Sequence, residues 1–285
     1  MTFICAVLLF FIPHPANAFL RRLFGQKIGK HTTIHLGSFI YCKRFSIGDH
    51  SYVGPLSILK THTAKLGNYT HISALSITSA ALIDGAILEI GDHSRIFPFC
   101  WLEPGEGIFI GKHVGIGGHT LIFTHGAWSD YLHGGPVNYG PVYIGDHTWL
   151  PWRVFILPNV TIGERAIIGA NTTVNKNIPS NSLSVGSPIN TVKTDINKGL
   201  TTDEFEKRVN FIFSEYNKYI LRQKRLDNNV NSTSVFFRQF QTDIAPNEAL
   251  LIIDMETYTY SSTNPKLFLD FISYLRRFGI RLEEK

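Results

Sequence analysis

The 285-residue chain reads as a mainly β protein: a triangular solenoid of parallel strands over residues 28–199, followed by a small α+β appendage over 200–285. Three observations predict this. Isoleucine, leucine or valine recurs every sixth residue between Ile28 and Val174, glycine follows the aliphatic residue that opens each series, and the beat stops beyond Pro188. The clearest run is Ile144, Leu150, Ile156, Ile162, Ile168 and Val174; earlier ones are Ile28, Ile34, Ile40, then Ile47, Val53, Leu59, then Leu66, Ile72, then Ile90, Ile96, Leu102, then Ile110, Ile116, Ile122.

A period of six fits neither the two of a strand nor the 3.6 of an α-helix. If each hexad is a short strand and a sharp turn, three hexads close one 18-residue coil and every aliphatic side chain points to the axis. The Ile-Gly or Leu-Gly starts at 28, 47, 66, 90, 110, 144 and 162 are separated by 19, 19, 24, 20, 34 and 18, so most coils are 18 plus a small bulge. Glycine suits a corner where φ is positive or where a side chain would strike the next coil. A β-sandwich by chance spacing fits poorly, because its strands alternate with period two and turn every 8 to 12 residues.

Before the first coil, Phe3 to Ile12 is a continuous apolar run, followed by Pro13, Pro15 and Ala16-Asn17-Ala18. It is shorter than the ~20 residues that span a bilayer. The Ala-x-Ala pattern resembles a signal-peptidase site with export after cleavage near Ala18, yet no basic residue precedes the run. Arg21, Arg22, Lys27 and Lys30 behind it favour anchoring of residues 1–22 on the inner face of a membrane, with 1–27 as a separate segment.

The spacing of 34 equals one coil plus 16 residues, placed at Thr124 to Pro141. Long loops on regular scaffolds carry function. This one holds His125, Trp128, Asp130, Tyr131 and His133 among four glycines. A histidine that leaves the repeat beside carboxylates suits a general base, an imidazole oriented by a neighbour and able to take a proton from a hydroxyl. His125 is the first candidate and His133, with Asp130, the reserve. The other histidines differ: His31, His50, His93, His113 and His147 all fall three places after a coil opens, as an outward ladder that reads as a solvated face. His113, His119 and His125 are six apart, so they sit on successive faces and diverge rather than close on one zinc.

Past Pro188, Phe205, Val209, Ile212, Tyr216 and Tyr219 mark an amphipathic helix from about Thr202 to Arg225. Strands follow at Val235–Phe240 and Leu250–Met255, then a helix from Pro265 in which Phe268, Phe271, Leu275 and Phe278 share a face. The net charge of +5 is mild and the basic residues are scattered, so nucleic acid is not an expected partner. Three distant cysteines supply neither a disulfide frame nor a CxxC pair, which fits a reducing compartment.

Tyr143-Ile-Gly-Asp-His-Thr-Trp149, Ile156-Leu-Pro-Asn-Val-Thr-Ile-Gly163, Ile168-Gly-Ala-Asn-Thr-Thr-Val-Asn-Lys176, Ile178-Pro179 and Val185-Gly-Ser-Pro188 together resemble the C-terminal signature of hexapeptide-repeat acyltransferases. The resemblance covers about Ile28 to Lys193 and is nearest to acetyltransferases of sugars and surface polysaccharides, of maltose, galactoside and colanic-acid types. It implies a left-handed parallel β-helix, a homotrimer, and acetyl-CoA held between subunits. It puts the catalytic histidine on or beside His125. It sets Gly169 and Ala170 against the pantetheine arm, Lys176 and Lys193 near the nucleotide phosphates, and Trp149 and Trp152 in the same groove. Leu150-Pro151-Trp152 departs from the family, which keeps a small residue where Trp152 stands.

The expected reaction is direct O-acetylation of a sugar hydroxyl on a surface polysaccharide or its precursor, without a metal. No cysteine or Gly-x-Ser-x-Gly elbow lies near the loop to act as a nucleophile. Two rivals remain: a zinc carbonic anhydrase on the same solenoid, and a catalytically inactive scaffold in which Trp152 blocks the groove.

Overall fold

A computed structural model describes residues 2–127, 130–197, 199–222, 235–238, 251–255, 258–263 and 265–284. It divides into two compact units, Met1–Asn197 and Lys198–Lys285.

The first unit is a left-handed parallel β-helix. Its three inward columns are the aliphatic series of the sequence. On the first face Ile28, Ile47, Leu66, Ile90, Ile110, Ile144, Ile162 and Ile178 pair coil to coil in parallel register. The second face stacks Ile34, Val53, Ile72, Ile96, Ile116 and Leu150. On the third, Ile40 and Leu59 meet Thr78, Leu102, Ile122, Ile156 and Val174. Thr78 keeps the register where the aliphatic beat lapses after Ile72. Nearly all these side chains are fully buried, each contributing roughly 1.5 to 3 kcal/mol.

The opening glycines are required by close approach and not by backbone conformation. A Cβ on Gly145 would stand 2.5 Å from the Glu164 nitrogen, and one on Gly29 2.5 Å from that of Asp49. Positive φ instead falls two residues after each opening glycine, at His31, His50, Tyr69, His93, His113, His147 and Arg165. This alters the reading of the histidine ladder as a merely solvated face. From His31 through His50, Tyr69, His93 and His113 to His147 the rings form one continuous stack with centroids 4.8–4.9 Å apart, and His93 is buried. Beside it, Asp49, Asn68, Asp92 and Asp146 each accept a backbone N–H from the coil before.

Both ends of the prism are closed. At the bottom, α1 (Phe3–Phe10) and α2 (Ala16–Leu23) fold onto the first coil: Ala18 enters the core, and the amide of Asn17 donates to the carbonyls of Leu9 and Ile12. Arg21 is fully buried, bonded to Asn17 and Gln26, and burial lowers its pKa to about 10. Arg22 donates to the carbonyls of Ile28 and Gly29. The expectation that Arg21 and Arg22 together form a basic flank for lipid therefore needs correction, because Arg21 is a plug of the fold. At the top, Ser182–Val185 turns back into the antiparallel Asn190–Thr194, which covers the sheet edge.

Irregularity concentrates at one corner, between the third face and the first. The strands Phe39–Ile47 and Ile58–Leu66 run straight through it, merging two faces into one twelve-stranded sheet. One coil later the extra residues between Ser79 and Ile87 emerge there, and the long loop after Phe123 emerges there too.

In the second unit α3 (Thr202–Arg222) buries Ile212, Phe213 and Tyr216, and α4 (Pro265–Leu275) buries Phe268, Phe271 and Leu275 in the same core. They cover a four-stranded sheet of Val235–Arg238, Leu251–Asp254, Thr259–Ser262 and Glu283–Glu284. The last two strands are additions to the sequence reading. Residues 223–234, between α3 and the first of these strands, lie outside the described residues.

Candidate active site

The long loop is a hairpin. His125–Ala127 pairs antiparallel with Val137–Tyr139, and a short 3-10 turn at Tyr131–His133 fills the tip. Trp128 lies outside the described residues. The hairpin is tied to the coil at its root by Gly140, whose N–H donates to the Thr124 carbonyl at 3.0 Å.

His125 is the first residue beyond the prism. Its Nδ1 lies 2.7 Å from Oε2 of Glu103, one coil below on the neighbouring strand. An ionised carboxylate only accepts, so Nδ1 carries the hydrogen and Nε2 presents a lone pair. Nε2 has no protein partner among the described residues, and the imidazole is 46% exposed while Glu103 is only 12% exposed. Glu103 is itself fixed: Oε1 accepts from the Gly105 N–H at 3.2 Å, and Oε2 lies 3.0 Å from the Thr124 hydroxyl. Buried Thr124 also reaches the Glu103 carbonyl at 2.8 Å and accepts from the Glu106 N–H at 2.9 Å. Tyr139 stacks across the hairpin stem, its centroid 6.4 Å from that of His125. The arrangement is an imidazole whose orientation and tautomer are set from beneath and whose reactive nitrogen points outward.

Glu103 escaped the sequence reading. The register could have found it, because Leu102 and Ile122 occupy equivalent inward places and bring Glu103 under the root of the loop. The reserve pair is real but different in kind. His133 Nδ1 meets Asp130 Oδ2 at 2.7 Å within one turn, with side chains 85% and 60% exposed. His113, His119 and His125 occupy three different corners: His113 in the ring stack, His119 against Phe99, His125 at the loop.

Trp149 and Trp152 both lean back toward the coil before them. A Cβ on Gly115 would lie 2.5 Å from the Trp149 ring, and one on Gly118 would collide with that of Trp152. Both indoles meet Phe97, at 6.2 and 6.3 Å. At the corner, Gly118, Trp152 and Ala170 hold equivalent places in stacked coils, with the Arg153 N–H donating to the Gly118 carbonyl and the Asn171 N–H to that of Trp152. The Trp152 ring fills space left by Gly118. Gly169 packs under Val185, and Ala170 is exposed. Lys176 and Lys193 are exposed, one after the strand Thr173–Val174 and the other in the terminal hairpin. Among the described residues no hydrogen bond, ion pair or ring contact joins His125 to either tryptophan or to these lysines.

Comparison with known proteins supports the reading of this fold. The family profile described as bacterial transferase hexapeptide (six repeats) matches residues 141–176. A putative colanic acid biosynthesis acetyltransferase, WcaF, of Escherichia coli K12 is 31% identical over 173 residues, covering 60% of this chain and 71% of that protein. The chain belongs to the hexapeptide-repeat acyltransferase family. A putative acetyltransferase of Schizosaccharomyces pombe is 31% identical over 159 residues, covering 53% of this chain and 77% of the relative. Among solved structures, a hexapeptide-repeat acetyltransferase of Vibrio cholerae is 28% identical over 46% of this chain and 73% of its own, with a TM-score of 0.41.

Proposed function

We propose that the protein is an O-acetyltransferase that moves an acetyl group from acetyl-CoA to a sugar hydroxyl of a surface polysaccharide or its precursor. The observation that carries this is the 2.7 Å contact between His125 and Glu103, with Nε2 facing outward. His125 Nε2 takes the proton of the acceptor hydroxyl as its oxygen attacks the thioester carbonyl. Glu103 holds Nδ1–H and stabilises the imidazolium that forms. The same imidazolium returns the proton to the departing thiolate, so no covalent enzyme intermediate is needed. When bound, the thioester supplies an activated acetyl group.

Acetyl-CoA fits the strip of small residues at Gly169 and exposed Ala170, one coil above the Trp152 ring that fills the space over Gly118. Lys176 and Lys193 are the cations for its phosphates. A homotrimer sets a neighbouring subunit against that strip. The scaffold reading is disfavoured by the similarity to proteins named as acetyltransferases. No helix among the described residues is long and apolar enough to cross a membrane. We read the apolar helices at the bottom of the prism as a contact with the inner face of the cell membrane. Burial of Ala18 and the bonds of Asn17 support this over cleavage beside them, which would cut the helix that closes the first coil.

The test is isothermal calorimetry with acetyl-CoA, followed by transfer of labelled acetyl to polysaccharide precursors. Stoichiometric binding and labelled sugar are expected. A trimeric protein that fails to bind acetyl-CoA would overturn the proposal.

A further inference from the structure

Beside α2 a cavity of about 410 Å³ opens at the irregular corner of the first two coils, lined by Phe24, Lys27, Lys43, Arg44, Thr63 and Lys65 among others. Lys65 pairs with Glu89. Lys27, Lys43 and Arg44 are exposed and have no carboxylate partner among the described residues. Such a cluster of exposed cations sets up a local positive potential that attracts anions.

The two helices beside the cavity carry exposed apolar side chains. Phe24, which lines it, is half-exposed and follows Leu23 and Phe19 of α2, and α1 with the residue after it adds Ile4, Leu8 and Phe11. These last five side chains are each more than half exposed. α1 nonetheless holds its place, because Phe3 packs edge-on against Phe39 and Tyr41 while Ala6 and Leu9 are buried. A fixed apolar face beside a basic hollow is the two-part surface that an anionic bilayer satisfies: apolar side chains enter the acyl boundary while headgroup phosphates meet the cations. A second copy of this chain is a poorer occupant. It carries the same cations and a net charge of +5.

We propose that this cavity is a headgroup site for anionic phospholipid, through which the β-helix stands on the membrane with the bottom of the prism against the bilayer. The proposal rests on the membrane reading of α1 and α2 given above and adds to it a lipid class and the residues that select it. Acetyl transfer by His125 does not depend on it.

The test is co-sedimentation of the full-length protein with vesicles of phosphatidylcholine, with and without phosphatidylglycerol. The wild type is expected to prefer the anionic vesicles by at least about tenfold. Lys43→Gln with Arg44→Gln should lower the partition coefficient for those vesicles by roughly 30-fold, the value for two lost surface charges. Leu8→Ser with Phe11→Ser should abolish binding to both. Acetylation of a soluble acceptor by each variant should stay at the wild-type rate, which verifies folding. If the charge variant keeps the anionic preference, the headgroup site is wrong while the membrane contact stands. If the wild type sediments with neither vesicle, or if the Leu8/Phe11 variant instead loses an oligomer, both are wrong.

Discussion

Replacing Glu103 with glutamine tests the catalytic arrangement at its least visible part. The carboxylate accepts on Oε1 from the Gly105 N–H and on Oε2 from His125 and Thr124. A glutamine that keeps its carbonyl toward Gly105 must point its NH₂ at His125 Nδ1. The ring then becomes the wrong tautomer, with its hydrogen on the Nε2 that should receive one. The opposite rotamer sets NH₂ against the Gly105 N–H, donor to donor. A hydrogen bond to a charged group is worth about 1.5 to 3 kcal/mol, which is roughly 10- to 100-fold in rate, and the tautomer change pushes toward or past the upper figure. Steady-state kinetics with saturating acetyl-CoA should therefore show kcat down by about 100-fold or more, with KM for acetyl-CoA within about threefold. Turnover within threefold of wild type would refute the role of Glu103 and the tautomer argument with it.

Further outcomes follow from other parts of the site and fold. Trp152→Ala should leave the Kd of acetyl-CoA within about threefold, because the ring packs down over Gly118; tenfold tighter binding by calorimetry would show that the indole obstructs the groove. Gly118→Ala should do the reverse, since a Cβ that collides with the Trp152 ring and stands 2.8 Å from the Pro98 carbonyl must displace the indole, weakening acetyl-CoA binding by about tenfold. The double variant should recover that loss. His71 offers a pH test: burial first, then the charge of Arg95, push its pKa down to about 4 from 6.5. The unfolded chain takes up this proton as pH falls through 6.5 and the native chain refuses it until about 4, so native stability drops across that window. His71→Gln should flatten the fall in urea midpoint between pH 6.5 and 4, and parallel curves would contradict the assignment.

The legible part of the molecule was what a one-dimensional repeat dictates. In a solenoid each coil touches mainly its neighbours, so spacing in sequence becomes register in space. Ile144 under Ile162 and Ile122 under Ile156 follow from the spacing alone. The loop was visible as a surplus of residues, and His125 as a histidine outside the beat. Glu103 was hidden because its partner is 22 residues away and the link runs between coils, where a chain of hexads hides its vertical neighbours unless the coils are laid one above another. The lean of Trp152 was hidden for a related reason. Gly118 that receives it belongs to the previous coil, across the inserted loop. Arg21 misled because charge suggested a surface, whereas the residue closes the prism through Asn17 and Gln26. The ring stack from His31 to His147 followed from positive φ at one corner, a conformation that the outward polar pattern alone did not reveal.

The central claim, that His125 removes the acceptor proton, is tested most directly by turnover of His125→Ala with labelled acetyl-CoA and a saccharide acceptor, beside His133→Ala. The account predicts a loss of roughly 100-fold or more in kcat for the first with acetyl-CoA binding retained, and near-normal turnover for the second. Near-normal turnover of the His125 variant, or the large loss falling on His133, would contradict it.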